Sequence, residues 1–431
     1  ETIAARRAIR VAERLERAKA ALNFTQAWWS NSIVEFAGLF GVFILNFYLV
    51  YSFFGTPATE TTFSGPVVPI IAKLIEFVSG TPLAYALQIV YICFFLGFPI
   101  SFYFLVKKIT GRKIAAFCAI LIASLPYEPF AGLRAQTSLL GIEGPHISSL
   151  TLVPLAIGAL LSFIRIGGMW NLVIASVASG ATVLTSPFGF FAFVGFAAIT
   201  SFSEMLLGKG RLKFIRLMAV LVFAAALSSF WYNPSFFIWM ITGPMGIEVR
   251  QTISKLIPIS LFVIPALGTF GFLLFDRKPE LQPVFLASFF SIAFAIVVLA
   301  GGGFFPSHPS RYLPEFGVSL SFLISIIIMR VSDYLRFLPS SNISFRLKGN
   351  LANGLVLVMC IFFFSSILLG GELREAGESA ILGLWTGVEK SDIWVSKDRF
   401  GPVSALLGYA ISISAIFILG WLTFRAKSAN E

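Results

Sequence analysis

Residues 301–320 read GGGFFPSHPSRYLPEFGVSL. This proline-rich turn carries His308, Arg311 and Tyr312 and sits between apolar runs at 283–302 and 315–332. Each run is close to the roughly 20 apolar residues that a helix needs to cross a bilayer. An arginine at the mouth of such a run is costly to desolvate and is usually held by a phosphate, a carboxylate or water. Span, polar connection, span: this pattern decides the fold class, and it recurs along the whole chain.

The 431 residues are 57% hydrophobic and 12% charged, with a mean hydropathy of +0.87. Soluble domains carry about 25% charged residues, so lipid must cover most of this chain. No polar stretch is long enough to fold as a separate soluble domain. The expected fold class is therefore an all-α integral membrane protein. Apolar runs fall at about 32–54, 84–106, 114–126, 149–165, 170–184, 187–206, 214–232, 256–275, 283–302, 315–332, 352–370 and 402–424. They predict a polytopic bundle of about twelve transmembrane helices. The run at 66–83, broken by Lys73, Glu76, Gly80 and Pro82, reads as an interfacial helix.

Residues 1–30 read as a cytoplasmic amphipathic helix, because Ile3, Ile9, Val11, Leu15 and Leu22 are spaced among basic residues. Such a helix lies on an anionic membrane surface, and its charges argue against a signal peptide. Residues 31–431 form one polytopic domain. The net charge of +11 would suggest nucleic acid in a soluble protein. Here the positive-inside rule accounts for it and no nucleic-acid partner is implied. With a cytoplasmic N-terminus, most of the 32 Lys and Arg residues fall in the inner connections, such as KKITGRK and GKGRLK. Both termini are then cytoplasmic, in a multi-pass protein of the plasma membrane.

The outer connections are longer, and long loops carry sites more often than short tethers do. Glu60, in the first outer loop, is a candidate general base or metal carboxylate, or a solvated loop residue. The loop PYEPFAGLRAQTSLLGIEGPHISS holds Glu128, Arg134, Glu143 and His146, a set able to hold a divalent ion or an anionic head group, or to form local salt bridges. Arg250 follows an aromatic-rich outer stretch. Arg311 can bind a phosphate bidentately, with His308 and Tyr312 beside it, or pair with Glu315 one helical turn on. Glu35 reads as the acid within a span, able to snorkel. Cys93, Cys118 and Cys360 lie in apolar runs and read as small buried hydrophobes.

Several stretches carry a resemblance. These are SGPVVPIIAKLIEFVSGTPL, YFLVKKITGRKIAAFCAILIASLPY, LTSPFGFFAFVGF, SSFWYNPSFF and PSHPSRYLPEFGVSLSFLI, across about residues 30–335. In this order they resemble the GT-C superfamily of membrane glycosyltransferases. The branch they look closest to is that of the 6-pyruvoyl-tetrahydropterin-synthase-related membrane proteins. The resemblance implies a GT-C-like bundle that moves a sugar from a polyprenyl-phosphate donor to a cell-envelope acceptor on the outer face. It places the catalytic base, and a divalent metal such as Mg or Mn, at Glu60, with Glu143 and His146 as further metal candidates. The lipid phosphate falls to Arg311, with His308, Tyr312, Arg250 and Arg134. The chain departs from the pattern in two places: no Asp precedes Asp276, and Ser186-Pro187 stands where relatives have His before Pro. A non-catalytic membrane subunit or lipid-handling protein on the same fold is the alternative, and a secondary transporter is a third reading.

Overall fold

The computed structural model describes residues 32–58, 65–141, 143–207, 209–242, 279–299, 309–337, 345–369 and 401–428. The N-terminal amphipathic segment lies outside these, as does the run at 256–275. The described residues form fourteen α-helices: α1 (Ser32–Val50), α2 (Val67–Ser79), α3 (Leu83–Thr110), α4 (Lys113–Ala123), α5 (Ala131–Ala135), α6 (Gly144–Ile166), α7 (Met169–Thr185), α8 (Pro187–Leu206), α9 (Gly210–Ser228), α10 (Pro234–Thr242), α11 (Gln282–Leu299), α12 (Leu313–Phe337), α13 (Phe345–Leu369) and α14 (Gly401–Ser428). Seven described helices are long and apolar enough to cross a membrane: α1, α3, α6, α8, α12, α13 and α14. Three more, α4, α7 and α11, are apolar but shorter.

The centre of the bundle is α3 and α6, which are buried along most of their length. α6 packs against α3, α7 and α8, and α12 packs against α11, α13 and α4. Around this centre α1, α13 and α14 turn most of their surface outward. On α1 the exposed side chains Ile33, Phe36, Phe40, Ile44, Phe47 and Tyr51 follow one helical face. A row of large apolar groups in contact with solvent is the surface that lipid would cover. α2 is the helix expected at 66–83; it buries Val68 and Ala72 and exposes Ile70, Leu74, Phe77 and Val78.

Short turns make consecutive helices antiparallel. Gly111, in the left-handed region at φ 68°, closes α3 by donating its N–H to Lys107 O at 2.8 Å. The chain then reverses directly into α4. Basic residues gather at this end of the bundle. Glu35 of α1 bonds Lys107, lies 2.6 Å from Lys113 and accepts from Tyr103 at 2.9 Å. A carboxylate at the mouth of a span is thus fully engaged with cations and a phenol.

α4 is only 11 residues long, about 16 Å of rise, half a hydrocarbon core. It stops at Ser124, two residues before Pro126, where the following residues are pushed out of the helical region. The chain from there to Glu143 was expected to be an outer loop. Much of it is folded into the bundle: α5 is entirely buried, as are Thr137–Leu139, while Tyr127, Glu128 and Leu140 are exposed. Irregular backbone at this depth is tolerated only inside protein, and neighbouring helices enclose it.

Two expectations about single residues are corrected. Cys93 is exposed on α3 rather than buried. Glu35 is not the one acid among the spans, since Glu204 on α8 and Glu315 on α12 are both buried there.

Candidate functional site

At the end of the bundle far from the basic turns, two sequence-distant segments meet. Glu143 precedes α6, and its carbonyl accepts the Ile147 N–H at 3.0 Å. A carboxylate at this position sits at the positive end of the helix dipole. His146 is in the first turn of α6. Opposite them, Pro309–Tyr312 form a single 3-10 turn, and α12 then starts at Leu313. That turn aims Arg311 away from its own helix. Its guanidinium lies 2.7 Å from Glu143 Oε1 and 3.9 Å above the Phe188 ring of α8. Glu315, in the first turn of α12, lies 2.7 Å from His146 Nε2. His146 Nδ1 faces Glu143 Oε2 at 3.6 Å, which is electrostatic proximity and too long for a hydrogen bond.

All of these groups are withdrawn from the surface: Glu143 is 6% exposed, Arg311 3%, His146 1% and Glu315 0%. Buried charge is tolerable only when paired. Two carboxylates against one guanidinium leave a single negative charge, which a proton on His146 cancels. Burial by itself would push the Glu143 carboxyl up, but His146 and Arg311 beside it reverse this and hold it below the ordinary value of 4.5. Tyr312 packs edge-on against the His146 ring at 5.8 Å. Burial, reinforced by Glu315 and Glu143 against Arg311, pushes its phenol up.

Close backbone approaches hold this arrangement. A Cβ on Gly317 of α12 would lie 2.0 Å from Pro129 O, and one on Gly189 of α8 would lie 1.7 Å from Ser149 Oγ. Ser186 caps α8 by accepting the Phe188 N–H at 3.3 Å, which sets the ring under Arg311.

Of the residues singled out from sequence, Glu143, His146, Arg311 and Tyr312 come together. Glu60, Arg250 and His308 lie outside the described residues. Arg134 belongs elsewhere. It donates to Ala123 O at 2.8 Å and lies over the rings of Phe95 and Phe98 at 5.1 and 3.8 Å. Those rings stand about 15–20 Å along α3 from Lys108, near the middle of the bundle. Arg134 therefore closes the C-terminal end of the half-length α4, where a cation suits the helix dipole. The i to i+4 pair of Arg311 with Glu315 does not form, because each takes a partner from the α6 side. Sequence reasoning also passed over Phe188, whose one signal was its place after the Ser-Pro step.

The second ionic cluster is at the basic end. Glu204 of α8 receives Arg165 Nη2 at 2.7 Å, Lys213 at 3.2 Å and Gln282 at 2.8 Å. Nearby, Arg112 pairs with Asp333 at 2.6 Å. α3, α6 and α12 all start at the candidate site and finish at this cluster, so the two lie a helix length apart.

These features define a helical multi-span membrane protein with a buried ionic network at one end. In comparisons with known proteins, the chain matches no family model, no curated protein and no solved structure.

Proposed function

We propose that the protein is a membrane-embedded glycosyltransferase of the GT-C kind, with about twelve spans. In this reading the basic end and both termini face the cytoplasm, and the Glu143–Arg311 end faces outward across the plasma membrane. The donor is a polyprenyl-phosphate sugar and the acceptor a cell-envelope hydroxyl. The observation that carries the reading is the meeting of Arg311 with Glu143 and His146. It sets a guanidinium suited to phosphate beside a carboxylate–histidine–carboxylate unit suited to proton transfer.

Arg311 exchanges Glu143 for the donor phosphate. The acceptor hydroxyl attacks the anomeric carbon, its proton passes to a carboxylate, and the bond from that carbon to the phosphate oxygen breaks. Arg311 neutralises the charge that develops on the leaving phosphate. Glu60 remains the base that the family resemblance implies, and Glu143 with His146 is the base that the geometry offers. Among the described residues no three His, Cys, Asp or Glu side chains form a metal set, and Glu143 and His146 are already engaged.

The closed state of the network favours a second reading, a non-catalytic subunit in which the same four charges clamp α6 to α12. The test is binding of a polyprenyl phosphate to purified protein, with Arg311→Ala and Arg311→Lys as variants. The transferase reading expects Arg311→Ala to weaken binding by about 2 kcal/mol, the scale of a charged hydrogen bond. It expects Arg311→Lys to restore part of this. Turnover of the lipid-linked sugar should be lost in Glu60→Gln or Glu143→Gln. If wild type binds no polyprenyl phosphate, the clamp reading replaces it.

A further inference from the structure

The cavity at the basic end, with a volume of about 590 Å³, is a second candidate site, independent of the proposed activity. Five cations line it: Lys108, Arg112, Arg165, Lys213 and Arg330. Three carboxylates, Glu204, Glu280 and Asp333, also line it, which leaves a lining charge of plus two. The positive-inside rule explains why basic residues gather at one end of a membrane protein. It does not explain why they line one cavity between α3, α6, α8 and α12, with Lys108, Arg112 and Arg330 exposed and the Arg165 and Lys213 side chains more withdrawn.

The cations are not equivalent. Arg165 and Lys213 are held by Glu204, and Arg112 by Asp333. Among the described residues Lys108 bonds the Ser162 hydroxyl, and Arg330 donates to the Glu280 backbone carbonyl at 2.8 Å. Neither of these partners carries a charge. Two cations compensated by neutral oxygens, in a cavity of ligand size, match an anion bearing two negative charges. Pro283, Ile326 and Met329 give the same cavity an apolar wall, suited to the body of the molecule that carries the anion.

We infer that this cavity binds a phosphate monoester, whose oxygens replace neutral partners at Lys108 and Arg330. The phosphate can belong to a soluble compound or to an anionic lipid head group, and the two sources separate by experiment. The intact protein in nanodiscs of pure phosphatidylcholine is titrated with glycerol 3-phosphate, a soluble phosphate monoester. In parallel, detergent-purified protein mixed with equal amounts of phosphatidylcholine and phosphatidic acid is examined by native mass spectrometry for retained lipid. Both arms compare wild type with Lys108→Gln/Arg330→Gln and with Lys73→Gln, an exposed control on α2.

A loss of glycerol 3-phosphate affinity of about tenfold or more in the double variant, with none in Lys73→Gln, assigns a soluble phosphate. The same selective loss of phosphatidic acid retention assigns a head group. If wild type binds neither probe better than the double variant, the inference is overturned. Should the double variant melt early, Lys108→Gln and Arg330→Gln singly decide by the same criterion. Arg311 lies a helix length away and is unchanged in every variant of both arms, so failure here and failure of the transferase reading are separate results.

Discussion

Replacing Glu143 by Leu, Arg311 by Met, and both together tests whether the buried network is an ionic pair in fact. The two groups are 2.7 Å apart and 6% and 3% exposed, so solvent screening discounts little of their interaction. At an effective dielectric near 20 and charge centres about 4 Å apart, the attraction is on the order of 4 kcal/mol. Each single substitution strands a buried charge and should cost about 3–5 kcal/mol. The double substitution removes both charges and leaves His146 with Glu315, a pair that is neutral when the imidazole is protonated. It should return to within about 1 kcal/mol of wild type, because an apolar pair of similar volume often replaces a buried ion pair without loss. The assay is reversible unfolding in mixed micelles, with the four proteins compared as a double-mutant cycle. Singles that each cost under about 1 kcal/mol, or a double that costs their sum, would refute the pairing. Under the transferase reading the double variant is stable and inactive, whereas the clamp reading requires no activity from any of the four.

Gly317→Ala should cost more than about 2 kcal/mol and displace α12 from Pro129, since its Cβ would lie 2.0 Å from a backbone oxygen. Gly354→Ala on α13, with open space around its Cβ, should be neutral or stabilise by up to about 1 kcal/mol; melting temperatures of the two decide. Cys118 and Cys360 have sulfurs 3.7 Å apart, against about 2.05 Å in a disulfide, so mild oxidation should cross-link α4 to α13. Peptide mass mapping reads the cross-link, and Cys118→Ser should abolish it. Stability should also fall in acid. The Glu143 carboxyl is held below its ordinary 4.5, so its contribution is complete above that pH and is lost as the pH falls below it. A melting profile that Glu143→Gln leaves unchanged between neutral pH and pH 3 would contradict this.

The helices were legible from sequence because their cause is local. Every apolar run within the described residues forms a helix, and the run broken by Lys73, Glu76, Gly80 and Pro82 forms the 13-residue α2. What failed was the segment after α4. A run of apolar residues up to Pro126 looks like a span followed by a loop. That the chain stays inside the bundle depends on whether α3 offers a surface for Arg134, and the rings of Phe95 and Phe98 do so from a residue separation that no periodicity reports. The same arginine then reads as a loop cation when it is a helix-end cation at mid-depth.

The site was half legible for a related reason. Residue type and loop position picked out Glu143, His146, Arg311 and Tyr312, since charges at span mouths need partners. For Arg311 the sequence offered two partners, a phosphate or, by helical spacing, Glu315. Helical spacing holds only when both residues are on the helix, and Arg311 lies in the 3-10 turn before it. That turn frees Arg311 to reach Glu143 and leaves Glu315 for His146, so a single local pair becomes two cross-pairs joining α6 to α12. The exchange matters for mechanism. A local pair would survive any movement of the two helices, whereas under the transferase reading the crossed pair has to open before Arg311 takes a phosphate, which couples the site to the relative positions of α6 and α12.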